Sequence, residues 1–185
     1  MLLAAALLLA GAPDETALFE AFAAPCAHVA EYEKARAEAL KGGWEEIADG
    51  AEPRLAKLEQ AGRDALKDDP GTVLGARYRR MINGRAAFLV ISRYESSEDG
   101  FWGNGCRVYD FDAPKAIDAA VGARWMGKPP TGTQPIEPGG VKHLWEPWVD
   151  GRSFELNYVP ANHPAAEQIG LVGVILVAQA MGGFE

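Results

Sequence analysis

The chain contains two cysteines, Cys26 and Cys106, whose thiols are able to form a covalent bond. Two cysteines in an exported chain most simply form one disulfide, because the cytosol keeps thiols reduced and the periplasm oxidises them. Such a bridge closes a loop of about 80 residues, for which the chain-entropy estimate is about 4–5 kcal/mol of stabilisation. We therefore expect a Cys26–Cys106 disulfide. The alternatives are a buried pair of free thiols and a nucleophilic cysteine beside His28.

A pair of carboxylates is the second candidate for chemistry. Two segments of alternating character flank Asp150-Gly151, a dipeptide typical of a two-residue hairpin turn. This register sets Glu146 opposite Glu155, and two carboxylates held close together can separate their pKa values and act as acid and base. Glu146 and Glu155 are therefore the candidate catalytic residues. A solvated outer face, or a register shifted by Pro147, is the alternative.

Arginine and tryptophan side chains supply the candidate ligand-binding residues. Arg77 and Arg79 share one face of a first predicted hairpin and offer a small anion site, although arginine stems often just cover a sheet edge. Trp102 and Trp148 fall in the predicted sheet half of the chain. Aromatic rings there bind sugars or peptides by stacking, or else form part of the core. The segment 127–140, rich in proline and glycine, is predicted as a loop that either binds a ligand or simply connects two strands.

Other catalytic and metal-binding patterns are missing from the sequence. None of the four serines lies in a nucleophile-elbow context, and the three histidines are far apart. No paired-cysteine or HExxH spacing occurs, so we expect no metal and no cofactor. We expect a non-enzymatic binding or interaction module for a protein, peptide or glycan. The alternative is a small periplasmic hydrolase or lyase that uses the carboxylate pair, and a third possibility is an immunity-type protein that blocks a partner.

The composition is that of a globular protein with an acidic surface. Of 185 residues, 48% are hydrophobic and 24% are charged, with a net charge of -8. Nucleic-acid binding requires a basic surface to neutralise phosphates, so this charge argues against it.

The first residues predict export. Leu2–Ala10 is an apolar run of the length of a signal-peptide core, and it is too short to span a bilayer. The small residues Ala10, Gly11 and Ala12 offer cleavage positions, so we assign residues 1–12 to a signal peptide. An N-terminal helix packed on the fold is the alternative. The mature chain is then periplasmic or secreted and has no membrane span.

The elements that must position these residues follow from hydrophobic periodicity. A helix from residue 14, kinked or restarted at Pro25, continues to Lys41 with Val29, Tyr32 and Leu40 facing inward. A second helix is predicted over 53–67. Strands are then predicted on both sides of Asn83-Gly84. A further strand is predicted over 101–111, where Gly103 and Gly105 indicate a bulge or a close approach of the backbone. The apolar run 169–178 is typical of a central strand.

This order of elements predicts an α+β fold for residues 13–185 as a single domain. We expect the N-terminal helices to pack on one face of a mainly antiparallel sheet of five or six strands. The disulfide then ties the N-terminal helix to the third strand.

The layout resembles that of small exported proteins of unknown function from Gram-negative bacteria. The residues that carry the likeness are the apolar leader, a helix with "LFEAFAAPC", the Gly43-Trp44 that follows the helices, and the strand that contains Cys106. The likeness covers roughly residues 1 to 110. It implies the periplasm and one disulfide, and it implies no activity and no site residues.

Overall fold

The computed structural model describes residues 16–183 of the chain. Its helices precede and interrupt a series of strands, as expected for an α+β protein. In chain order the elements are α1 (Ala17–Cys26), α2 (Tyr32–Lys41), β1 (Glu45–Glu46), α3 (Pro53–Ala65), β2 (Gly71–Ile82), β3 (Arg85–Ser96), β4 (Trp102–Asp110), α4 (Ala119–Met126), β5 (Gly132–Ile136), β6 (Gly140–Trp145), a 3₁₀ turn (Val149–Gly151), β7 (Ser153–Val159), α5 (Pro164–Ile169) and β8 (Gly173–Gly182).

The strands form one antiparallel sheet in the order β1-β2-β3-β4-β8-β7-β6-β5. The α+β class is confirmed, and the sheet has eight strands rather than five or six. One of the additional strands, β5, lies within the segment 127–140 that was predicted to be a loop. It accommodates Pro135 because β5 is an edge strand, where the missing N–H of proline need not interrupt a ladder. Strand β8 lies between β4 and β7, which confirms the predicted central strand.

The first hairpin forms at Asn83-Gly84 as the sequence predicts. Ile82 pairs with Arg85, and both turn residues have positive φ angles, 50° and 76°. These angles are the left-handed pair that a type I′ turn requires, and asparagine followed by glycine adopts them at low cost. The local dipeptide thus determines the register of two 12-residue strands, β2 and β3.

Each face of the sheet packs into its own hydrophobic core, and we call these the first and the second core. Alternate residues of β3 point to opposite sides, so Leu89 and Ile91 enter the first core and Val90 enters the second. Helices α1, α2 and α4 pack on the first face, where α1 contributes the buried rings of Phe19 and Phe22. Helix α3 lies on the second face with Leu55 buried. The N-terminal helices α1 and α2 therefore share one face, and α3 partly covers the other.

The N-terminal helix is broken rather than continuous. Helix α1 ends at Cys26, one residue after Pro25, and α2 begins only at Tyr32. Tyr32, Ala35 and Ala39 form the buried stripe of α2, whereas Leu40 is 53% exposed. The prediction that Leu40 faces inward is therefore wrong, because residue 40 lies about 100° around the helix from the buried Ala39.

The predicted disulfide between Cys26 and Cys106 is confirmed. The two Cα atoms are 5.3 Å apart, and both residues are fully buried in the first core. The bond ties the last residue of α1 to the middle of β4. It therefore joins the helical layer to the sheet, as the sequence predicts.

The predicted signal peptide, residues 1–12, lies outside the described residues. Among residues 16–183, no helix has the length and apolar character needed to cross a membrane.

Candidate ligand-binding groove

Helix α3 crosses the second face of the sheet and leaves a groove between its apolar side and the strands from β2 to β7. We call this space the α3 groove. Its volume is about 670 Å³, within the range of about 300–1,000 Å³ typical of small-molecule sites. The apolar side chains that line it include Leu58, Leu66, Val73, Val90 and Val177.

One row of residues crosses the floor of the groove on five neighbouring strands. The cross-strand partners in this row are, in order, Arg77, Val90, Arg107, Val177 and Glu155. Residues that are directly opposite in a ladder share one face of the sheet. The floor therefore alternates charged and apolar side chains, and the strand spacing of about 4.8 Å places Arg107 two strands, or roughly 10 Å, from each of the other charged residues.

Arg77 joins the floor of the groove to its helical wall. Its Nε–H donates to Oε1 of Glu59 on α3 at 2.5 Å, and its Nη2 lies 3.6 Å from a carboxylate oxygen of Asp49. The hydrogen bond to Glu59 raises the pKa of Arg77, against an opposing effect of burial. The second oxygen of Glu59, Oε2, is buried and has no hydrogen-bond partner among the described residues. Arg77 is thus neutralised, and Glu59 keeps one free acceptor.

Glu155 is held at the opposite side of the groove floor. Its Oε1 accepts a hydrogen bond from Lys142 Nζ at 2.5 Å, and its Oε2 accepts one from Asn157 Nδ2 at 3.3 Å. Only 18% of the Glu155 side chain is exposed. The carboxylate is therefore part of a fixed ion pair with both oxygens occupied.

The structure does not place Glu146 opposite Glu155. Strand β6 ends at Trp145, which pairs with Phe154, so the partner of Glu155 is Leu144. Glu146 is exposed, and its backbone N–H donates to Thr131 Oγ1. The predicted turn is present, since Asp150 and Gly151 have φ angles of 50° and 79° and Arg152 N–H donates to the Val149 carbonyl oxygen at 3.0 Å. The predicted register is wrong, because Pro147 cannot continue the ladder of hydrogen bonds and the two strands pair again only from Trp145 and Phe154.

Arg107 occupies the centre of the groove floor and is the residue that the sequence reasoning missed. Its Nη1 donates to Ser92 Oγ at 3.3 Å, and it forms no ion pair with any described residue. The guanidinium lies over Gly105, where a Cβ atom would stand only 2.9 Å from Arg107 Cζ and 3.0 Å from Ser92 Oγ. The close approach predicted at Gly105 is thus made by a side chain. No bulge is present, since β4 pairs without interruption with both neighbouring strands.

The other predicted ligand-binding residues are not brought together. Trp148 packs against Phe22, with 5.5 Å between the ring centroids, and belongs to the first core rather than to an outer face. Trp102 also packs against the first core. Arg79 is exposed, with Nη2 3.7 Å from the sulfur of Met81. Of these candidates and the glutamate pair, Arg77 and Glu155 line the α3 groove.

The groove has a charge opposite to that of the whole chain. Four cationic and two anionic side chains line it, which gives a net charge of +2 in a protein whose net charge is -8. Its electrostatic field therefore favours an anionic ligand over a cationic one. No group of three or more metal-ligating side chains occurs among residues 16–183. The lining cations are Arg63, Arg77, Arg107 and Lys142, and the lining carboxylates are Glu59 and Glu155.

Comparison with known proteins does not assign a role to this groove. No protein-family model matches the chain, and no curated protein or solved structure is significantly similar to it. The resemblance to small exported proteins stays a prediction. The function has to be argued from the chemistry of the groove.

Proposed function

We propose that this chain is an exported, non-enzymatic binding protein that holds a small amphipathic molecule in the α3 groove. The observation that carries the proposal is the composition of that space. It has apolar walls, a volume of about 670 Å³, and a few fixed polar groups on its floor. Binding sites for small molecules have this composition, with the apolar part supplying affinity and the polar groups orientation.

The location outside the cytosol rests on the disulfide. Cys26 and Cys106 are joined and fully buried, and such bonds persist mainly in oxidising compartments. The apolar leader of residues 2–10 favours the periplasm or secretion on independent grounds. A carrier of apolar molecules is useful in such an aqueous compartment, because a free apolar ligand is poorly soluble in water.

The arrangement of the carboxylates supports binding rather than catalysis. Glu155 has both oxygens occupied, by Lys142 and Asn157. Glu59 is paired with Arg77. A hydrolase or lyase that uses Glu146 with Glu155 requires both carboxylates at one reacting group, and Glu146 does not lie across the ladder from Glu155.

A second candidate is the binding of an extended peptide at the edge of β2. Strand β1 pairs only with Arg79 and Tyr78, so the first half of β2 is an edge of the sheet. Val73 and Leu74 on that edge are 50% and 45% exposed. An added strand pairs with such an edge through backbone hydrogen bonds.

Binding of a neutral apolar fluorophore tests the main proposal. N-phenyl-1-naphthylamine is uncharged and becomes fluorescent when it leaves water, so it reports the apolar walls alone. We expect the oxidised protein to bind it at one site. Gly75→Trp should weaken binding about tenfold or more, a loss of about 1.4 kcal/mol, because residue 75 lines the groove and a Cβ there has only Arg77 Nη2 within 4 Å, at 3.9 Å.

Thr72→Trp is the matched control, since Thr72 is exposed on the same strand and points to the opposite face. Equal binding by wild type and both variants would show that the fluorophore binds outside the α3 groove and would contradict the proposal. Absence of binding would also rule the proposal out. If a peptide library instead selects strands that protect the β2 edge from hydrogen exchange, the second candidate is correct.

A further inference from the structure

We infer that the ligand of the α3 groove is a single-chain carboxylic acid, whose carboxylate is bound by Arg107 and Ser92 and whose apolar chain lies between α3 and the sheet. This inference rests on the proposed function and specifies the class of ligand. It assigns the head group to a site at the centre of the sheet that the motifs of the sequence do not reveal.

The first observation is that Arg107 is a cation without a counter-ion. Arg77 is paired with Glu59 and Asp49, and Lys142 is paired with Glu155. Arg107 has no carboxylate partner among residues 16–183, and its hydrogen bond goes to the neutral hydroxyl of Ser92. A partly buried guanidinium without an anion is unfavourable unless a ligand or solvent supplies one. A ligand with one negative charge would therefore neutralise the guanidinium of Arg107.

The second observation is a shallow recess beside the guanidinium. Gly75, Ser92 and Gly105 are cross-strand neighbours on β2, β3 and β4. The guanidinium of Arg107 itself fills the space above Gly105, where a Cβ atom would meet its Nη1 and Cζ. The space above Gly75 is open, since a Cβ atom there would have only Arg77 Nη2 within 4 Å, at 3.9 Å. Arg107 lines the α3 groove, so a bound molecule can reach its remaining N–H groups from this open space.

The donors in the recess match a carboxylate. Arg107 has five N–H donors and uses one of them on Ser92 Oγ, which leaves the planar fork that binds a carboxylate in two parallel hydrogen bonds. Ser92 accepts the hydrogen bond from Arg107, so its own O–H remains able to donate to the same anion. On the groove floor, Arg107 supplies one unpaired positive charge, which balances one carboxylate. Arg63, a second lining cation without a carboxylate partner among residues 16–183, is exposed on α3 and donates to Gln60 Oε1.

The surroundings of Arg107 match an apolar chain. Val90 and Val177 flank it in the cross-strand row. Leu58 and Leu66 form the facing wall, and the exposed Val73 lies at the open side of the groove. Burial of a hydrocarbon chain between these surfaces removes apolar area from water and therefore favours binding.

Decanoate and decanol test the inference because they share one chain length and differ in charge. Each is titrated against the protein loaded with N-phenyl-1-naphthylamine, at a pH where decanoate is ionised. We expect wild type to bind decanoate about tenfold or more tightly than decanol, as charge-assisted hydrogen bonds imply. Arg107→Met should remove this preference, while the neutral fluorophore still binds and so shows that the groove is intact.

Gly105→Ala is a second variant that leaves Arg107 in place. The new methyl group meets the end of a flexible side chain, so we expect the guanidinium to move and the preference for decanoate to fall severalfold. Gly103→Ala on the same strand is the control, because its Cβ would meet only the Phe101 ring, at 3.7 Å.

The outcomes separate the inference from the proposed function. If wild type binds the fluorophore but shows no preference for decanoate, or if Arg107→Met keeps the preference, the inference fails and the groove remains an apolar site. If the fluorophore, decanoate and decanol all fail to bind, the proposed function fails together with the inference. A preference for decyl phosphate over decanoate would also contradict the assignment of a carboxylate.

Discussion

Glu59 on α3 accepts a hydrogen bond from Arg77 Nε on β2 at 2.5 Å, and this ion pair closes one side of the α3 groove. Both side chains are largely buried, with 14% and 19% exposure. Toward its N-terminus, α3 is fixed by buried Leu55 and by Arg54, which stacks on Phe111 at 4.6 Å. The ion pair therefore holds to β2 the part of α3 that borders the α3 groove.

Glu59→Gln should destabilise the protein because it leaves the guanidinium of Arg77 partly buried without its closest carboxylate. A lost charge-assisted hydrogen bond costs about 1.5–3 kcal/mol, and urea unfolding of both proteins measures the difference. Hydrogen exchange should also become faster in the second half of α3. Glu33→Gln is the control, since its bond with Arg36 is on the surface and such pairs contribute about 0–1 kcal/mol. Equal effects of the two substitutions would contradict the prediction.

The disulfide should account for a large share of the stability. Cys26 and Cys106 are separated by 80 residues in the chain, and the chain-entropy estimate for a loop of this size is about 4–5 kcal/mol. The double substitution Cys26→Ala and Cys106→Ala should lower the free energy of unfolding by a comparable amount. Wild type unfolded in the presence of a reductant should agree with the variant. A loss of less than about 1 kcal/mol would show that packing of α1 alone fixes the helical layer.

The features that the sequence predicts correctly are those encoded over a few residues. Asn83-Gly84 specifies its turn by the φ angles that its two residues adopt. The apolar run in β8 identifies a strand covered on both faces. The single pair of cysteines allows only one intramolecular bond, so the long-range contact between Cys26 and Cys106 follows from a count.

The features that the sequence does not predict depend on the pairing of distant strands. Pro147 moves the second hairpin away from the register expected from Asp150-Gly151, and with it the partner of Glu155. The importance of Arg107 emerges only when β3 brings Ser92 beside Gly105. The one local signal for Arg107 is Gly105, two residues earlier on the same face of β4, because a glycine there allows the long side chain of Arg107 to lie flat.

The stability of the protein should depend on the ionisation of His143. Burial lowers the pKa of this imidazole, and the nearby carboxylate of Asp118 opposes the effect. The folded state then binds fewer protons than the unfolded state in the window below the ordinary pKa of 6.5. The contribution of neutral His143 to stability is fully present above that pH and decreases as the pH falls through the window.

Unfolding of wild type and His143→Gln from pH 8 down to pH 5.5 measures this dependence. The free energy of unfolding of wild type should fall more steeply with decreasing pH than that of the variant. His28→Gln controls for the loss of a histidine ring as such. Parallel curves for wild type and His143→Gln would contradict the prediction.

Gly62→Ala should stabilise the protein. Gly62 lies inside α3, its φ angle is an ordinary negative one, and a Cβ atom there would have no neighbour within 4 Å. Alanine in a helix interior is favoured over glycine by about 0.5–1 kcal/mol. Gly173→Ala is the contrasting case, because φ is +84° and a Cβ there would lie 2.9 Å from Phe111 Cα. Thermal unfolding should therefore show a higher Tm for Gly62→Ala and a lower Tm for Gly173→Ala, and a lower Tm for both would mean that α3 requires the flexibility of glycine.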